Sequence, residues 1–554
     1  MERENWFTRK RIFTRIEAGL AARCISLVLI LSALISPADS SAATKSAKMP
    51  VTPKWGRFEQ AFTSSITYTN PLQEAWIRVQ FTSPLGETAQ VFGFWDGGRT
   101  WRVRFAPDQP GRWTYFTTCS DSGNAGLNGH HGEFLCTSTI GQSRFRRHGP
   151  IRVALDHHHL EHADGTPFFW LADTVTRGAL IADPKSWATY AVIRASQNFT
   201  VAQWAVATGG DLEHESAITG FPERIGVNPE FFKRLDAKLD ILTTAGLLSA
   251  ISPLPESNPP PQSVALPDDQ AALLTRYVVA RWGAEPVAWL LESGPDSKQV
   301  ERWKKIGAEV FSEIRHAPVV IYSQQTEALG TFVAQPWVAV VGFQMPLAGE
   351  DPLHDLSAIT QSHPAIVFTP HESVMQPNTR TRITAEQVRQ SACCGLLMVP
   401  PAGASYAGLA VENWDTTVYP KKDDRFGAGL PQWHKALFMP GAKQLGQIAG
   451  LFGSVEFWRL RPEPAVLAAA PLDGSFAPPP CPAATPTRDF SMVYAIKGPM
   501  LDLALDAMPR SPIVTWFNPR QGASSPAVAV VAQGKCQFPT PDPQDWLLVL
   551  KAGK

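Results

Sequence analysis

The strongest chemical signal in the chain lies at 286–296, which reads Pro-Val-Ala-Trp-Leu-Leu-Glu-Ser-Gly-Pro-Asp. Its apolar run has the length of one buried strand. The run stops at a carboxylate, Glu292, and turns through Ser293, Gly294 and Pro295 to a second, Asp296. Parallel α/β barrels build their sites this way: both faces of each strand are covered, so chemistry sits at the C-terminal strand ends. A second apolar run ends similarly, in Thr369-Pro370-His371-Glu372. Strands four and seven lie on opposite sides of an eight-stranded mouth. Carboxylates at those two ends can face each other across a sugar. One would protonate the leaving oxygen while the other attacks or activates water. Glu292 and Glu372 are therefore the expected catalytic pair, with Asp296 as a further acid.

Other run ends add groups suited to the same work. They supply Asp173 and Thr174, Gln203 and Trp204, Tyr322 and Gln324, Gln344, His371, and finally Tyr406, Glu412, Trp414 and Asp415. Acids and amides bind sugar hydroxyls, and indoles stack on sugar faces. The expected substrate-binding set is Asp173, Gln203, Trp204, Gln344, His371, Tyr406 and Trp414. Core packing competes with this reading for Trp204 and Trp414, solvation for His371, and anchoring of neighbouring backbone for Asp173. No metal or other cofactor is expected. His371-Glu372 lacks the second histidine of an H-E-x-x-H zinc site, because Met375 stands there. The histidines between Asp156 and His162 are consecutive on an extended chain, so they alternate faces and do not converge on one ion.

The elements that position these groups follow from periodicity. From Pro167 onward, apolar runs at 168–172, 200–204, 247–251, 287–291, 318–322, 338–343, 365–369 and 395–399 alternate with helical stretches such as 229–245, 268–282 and 298–315. Eight such units predict a (β/α)8 TIM barrel over 147–455. No glycine-rich phosphate loop follows any run. Short β-type runs with turn clusters at Asn70-Pro71, Asp96-Gly97-Gly98 and Pro110-Gly111 predict an immunoglobulin-like β-sandwich over 50–140. A second sandwich is expected over 456–554.

The N-terminus reads as a signal peptide over 1–43, with basic residues from Arg9 to Arg23, a short apolar stretch, Pro37 and a small-residue cleavage site at Ser41-Ala42-Ala43. The expected location is secreted or periplasmic, with no membrane span in the mature chain. The 50 basic and 50 acidic residues cancel, which gives no electrostatic case for nucleic acid. Cys119 with Cys136, and Cys481 with Cys536, are close enough in sequence for local disulfides, while Cys393 and Cys394 read as buried thiols.

The chain resembles the apiosidase-like glycoside hydrolases, secreted barrel enzymes acting on plant cell-wall polysaccharide. The resemblance is carried by Asp164-Gly165-Thr166-Pro167-Phe168-Phe169-Trp170-Leu171-Ala172-Asp173-Thr174, by Phe199-Thr200-Val201-Ala202-Gln203 and by Arg276-Tyr277-Val278-Val279-Ala280-Arg281-Trp282. Pro400-Pro401-Ala402-Gly403-Ala404-Ser405-Tyr406 and Leu437-Phe438-Met439-Pro440-Gly441-Ala442 continue it. Gly93-Phe94-Trp95-Asp96-Gly97 resembles the Ig-like module often fused to these barrels. Trp516-Phe517-Asn518-Pro519-Arg520 and Asp545-Trp546 resemble their collagen-binding-like C-terminal sandwich. The resemblance implies cleavage of glycosidic bonds in a poly- or oligosaccharide. The family's acids stand in Gly-Gly-Asp after strand four and in a Glu directly before Pro after strand seven. Here those places read Glu292-Ser293-Gly294-Pro295-Asp296 and Thr369-Pro370, so both acids are displaced. A barrel that binds carbohydrate or scaffolds other proteins without cleaving is the alternative.

Overall fold

The structure, a computed structural model, describes residues 49–553 apart from 139–140, 142, 208, 255–265, 294–296, 325, 346–355, 374–382, 417–431, 469–479, 499 and 533–534. The leader-like segment and Asp296 lie outside the described residues.

Eight parallel strands close into a barrel. They are β1 (Trp170–Thr174), β2 (Val201–Ala205), β3 (Leu248–Ser252), β4 (Val287–Ser293), β5 (Val319–Ser323), β6 (Val340–Gln344), β7 (Ala365–Phe368) and β8 (Pro401–Ala407). One helix packs outside after each: α1 (Pro184–Ser196), α2 (Pro229–Ala245), α3 (Asp268–Trp282), α4 (Ser297–Phe311), α5 (Thr326–Phe332), α6 (Leu356–Ile359), α7 (Ala385–Met398) and α8 (Pro440–Gly453). The seam closes where β8 pairs with β1, Trp170 opposite Gly403 and Thr174 opposite Ala407. A β-carbon at Gly403 would run into the backbone of Trp170, so glycine permits this closure.

The expected eighth strand at 395–399 is instead the end of α7. Its apolar run is buried as helix, between the barrel wall and the C-terminal sheet. A run this short fits either a strand or a buried helix by periodicity. The decisive signal lies upstream, where Thr384 and Gln387 form a capping box that starts the helix. The strand proper begins at Pro401.

The N-terminal module stacks a five-stranded sheet on a three-stranded one around Phe58, Phe81, Trp113 and Phe134. Trp101 and Trp113 belong to this core. The C-terminal module pairs a six-stranded with a three-stranded sheet around Val493, Leu503, Trp516 and Leu548. Neither local disulfide is present. Cys136 stands opposite Gly111 at one end of a strand, and Cys119 lies at that strand's other end, about 27 Å away at strand rise. Cys481 faces the barrel, whereas Cys536 points into the sandwich interior.

Charged networks fasten both modules to the barrel. Asp236 on α2 accepts from Arg104 of the N-terminal module (2.8 and 3.1 Å) and from Arg281 on α3 (2.7 and 3.0 Å). Arg281 also reaches Asp96, at 3.0 Å. On the other side, Arg389 of α7 grips Asp545 through two bonds of 2.8 and 2.7 Å. Tyr494 and Arg520 complete the shell of that carboxylate.

Burial alone pushes the Asp236 carboxyl up, but the two guanidiniums outweigh it and hold it at about 2. Its folded value lies below the unfolded one. Its stabilisation is therefore present above about pH 4 and lost as pH falls toward 2. Replacing Asp236 by Ala removes the carboxylate that two buried guanidiniums share and is expected to cost about 3 kcal/mol in urea unfolding at pH 7. That cost should shrink as pH falls toward 2, and a cost independent of pH would contradict the assignment.

Candidate active site

Strand alternation decides which expected residues reach the mouth. Side chains that point into the barrel begin with Trp170, Ala172, Val201, Leu248, Ala288, Leu290, Val320, Val340 and Ile366. Two residues further on, or four in the case of Gln344, the same faces carry Thr174, Gln203, Glu292, Tyr322, Gln344 and Phe368 near the C-terminal ends. Ser405 belongs to this layer through its bond to Gln203.

Gln203 is buried just below the mouth, where its Oε1 accepts from Ser405 (2.6 Å) and Thr174 (3.0 Å). Its Nε2 has no hydrogen-bond partner among the described residues. Glu292 stands beside Tyr322 in strand register and is partly exposed. The Tyr322 hydroxyl donates to Gln344 Oε1 at 3.2 Å, and its ring packs on Phe368 at 4.1 Å. His371, about half exposed, follows β7 and places Nδ1 3.0 Å from Glu412 Oε2. Glu412 ends a helical turn, Leu409–Glu412, directly after β8.

The electrostatics tie these groups together. The charge of Glu412 pushes the His371 imidazole above its ordinary value. Partial desolvation of the ring opposes this, and its close approach to Glu412 and the charge of Glu292 reinforce it. Burial pushes the Tyr322 phenol up, and the charges of Glu292 and Glu412 push it further. Both carboxylates therefore act on the same two side chains. The mouth gathers two acids, an imidazole, a phenol and an amide.

Several expected residues lie elsewhere. Asp173, on the outward face of β1, is fully buried and accepts from Arg194 Nε of α1 at 2.8 Å. Tyr406 also points outward, beneath the Arg194 guanidinium. The Tyr406 hydroxyl donates to Glu372 Oε2 at 2.6 Å. Glu372 also accepts from the backbone N–H of Gly441, in the first turn of α8. A helix N-terminus with free N–H groups is a favourable seat for a carboxylate. A β-carbon at Gly441 would strike that carboxylate, so glycine allows the approach. Glu372 is thus buried at a polar junction between β8 and α8.

The expected stacking indoles are also in the core. Trp204 faces the helices and packs on Trp282, with ring centres 5.5 Å apart. Trp414 is buried face to face with Trp433 at 4.0 Å. The aromatic rings turned into the barrel at this level are Tyr322 and Phe368. Sequence reasoning had placed Tyr322 and Glu412 among the strand-end groups without giving them a role. It missed Phe368, although counting by twos from Ile366 finds it.

The closed parallel barrel with carboxylates near its C-terminal mouth is a TIM barrel. A solved glycoside hydrolase superposes with a TM-score of 0.64 and 16% identity, over 74% of this chain and 98% of its own. A family 5 glycoside hydrolase from Bacteroides vulgatus does so at 0.63 and 16%, over 75% and 95%. Another protein from that organism, described as a glycoside hydrolase, matches at 0.67 and 17%, over 91% and 100%. Identities this low speak for the fold alone.

The chain belongs to the apiosidase-like family, whose catalytic-domain model matches residues 155–459, more than half its length. A domain of unknown function matches 51–120, and a collagen-binding-like domain matches 481–551. No curated protein matches the chain in sequence.

Titration of the histidine rings by NMR is expected to place His371 above the usual value of about 6.5. Raised in the folded state, it contributes stability below pH 6.5 that is lost as pH rises through its folded value. Glu412→Gln should lower the His371 value. An unchanged value in that variant would show that the pair does not form.

Proposed function

We propose that the chain cleaves glycosidic bonds in a plant cell-wall or related polysaccharide, with Glu292 and Glu412 as its acid pair. The observation that carries this reading is the placement of Glu292 in register beside Tyr322 at the end of β4 and of Glu412 3.0 Å from His371 just past β7 and β8. Groups placed this way surround one substrate position. Glu412, ion-paired to His371, serves as the carboxylate that attacks the sugar or activates water. Glu292 protonates the leaving oxygen. Gln344 and the Tyr322 hydroxyl bind sugar hydroxyls, and the Phe368 and Tyr322 rings line the sugar face. Glu372 is assigned to the fold. The leader-like segment at 1–43 supports action outside the cytoplasm. Among the described residues no helix is long and apolar enough to cross a membrane.

The test is release of reducing sugar from a panel of plant and microbial polysaccharides by the chain from Thr44 onward. Glu292→Gln and Glu412→Gln are each expected to lower the rate by about 10²- to 10⁴-fold. Glu372→Gln should keep the chemistry and lower stability by about 1 to 3 kcal/mol, because a buried charged hydrogen-bond network loses strength. Loss of activity in Glu372→Gln at full stability would move the acid pair back to Glu372. Glycan binding with no release from any substrate would identify a binding barrel.

A further inference from the structure

Cys394 and Cys481 are buried, with their sulfurs 2.7 Å apart, although 87 positions separate them in sequence. Even smaller carbon atoms rest at roughly 3.5 to 4.0 Å when unbonded. Cys394 lies on α7. Cys481 begins the strand Cys481–Ala484 of the C-terminal module. On that strand Cys481 and Ala483 face the barrel, while Ala484 faces the sandwich interior. The two sulfurs therefore meet across the junction of the two bodies. A second contact aligns the same surfaces: Arg389, five residues earlier on α7, holds Asp545 of the module. Cys536 faces the sandwich core, and Cys119 and Cys136 lie in the other module.

We propose that Cys394 and Cys481 form a disulfide that staples the C-terminal module to the barrel. The oxidant is an external disulfide. One protein thiolate attacks it, giving a mixed disulfide and releasing one thiol. The second protein thiolate then displaces the other half. Two protein thiols lose two electrons and two protons, and the external disulfide becomes two thiols. Both sulfurs are buried once the module has docked, so exchange occurs before or during docking. Cys393, the neighbour of Cys394 in sequence and likewise buried on α7, is the competing partner.

The test is independent of export and of catalysis. The full chain is folded in a buffer of reduced and oxidised glutathione. Free thiols are alkylated in denaturant, and the unreduced digest is mapped by mass spectrometry. A linked peptide pair joining the Cys394 and Cys481 segments is expected, with Cys119, Cys136 and Cys536 alkylated. The link should persist in Cys393→Ser and vanish in Cys394→Ser. Reduction should lower the melting temperature of the wild type by roughly 5 °C and leave Cys481→Ser unchanged. Alkylation of both Cys394 and Cys481, or a link from Cys481 to Cys393 or Cys536, overturns the proposal. The wild-type map decides the matter even where a serine variant fails to fold.

Discussion

A closed barrel admits only every second side chain of each strand, and this constraint governs the rest of the structure. On β4 it turns Ala288, Leu290 and Glu292 inward, so the strand delivers a carboxylate to the mouth. On β1 and β8 it turns Asp173 and Tyr406 outward, toward the helices. Acids and phenols that look equivalent in the sequence thus divide into two sets. One set lines the mouth. The other binds the wall to its helical coat.

The outward set forms a continuous polar seam. Asp173 holds Arg194, whose guanidinium lies over the Tyr406 ring, and Tyr406 donates to Glu372 at the start of α8. Such groups pair with one another in a dry layer, where an unpaired charge is costly, although Asp173 Oδ1 and Arg194 Nη2 have no hydrogen-bond partner among the described residues. The same economy appears at the module junctions, around Asp236 and Asp545. Each carboxylate there is shared by guanidiniums from two different parts of the chain. The barrel's helical coat is in this way tied to both flanking sandwiches.

Much of the architecture was legible in the sequence, because it rests on periodicity. Alternating apolar runs and amphipathic helices announced the barrel, and regularly spaced turn residues announced the first sandwich. Glu292 was legible for the same reason, as an acid ending an apolar run. The eighth strand was misplaced because a short apolar run carries no period that separates a strand from a buried helix. The seat of Glu372 was not legible, because the chain after β7 runs on beside the end of β8 and the carboxylate turns to a distant helix. The seat that captures it, the start of α8, lies 69 residues later. Trp204 and Trp414 looked like sugar platforms because an indole in sequence does not say which face it packs on. Counting inward positions along each strand would have exchanged Trp204 for Phe368. The partnership of His371 with Glu412 is a contact between two loops, and no local pattern encodes it.

The central claim is that Glu292 opens to the mouth while Glu372 is sealed in the wall. Labelling of the native protein by a water-soluble carbodiimide and an amine, read by peptide mass spectrometry, tests this without knowledge of the substrate. Glu292 should be modified in the folded protein, and Glu372 only after unfolding. Modification of Glu372 as fast as Glu292 in the folded protein would contradict the account.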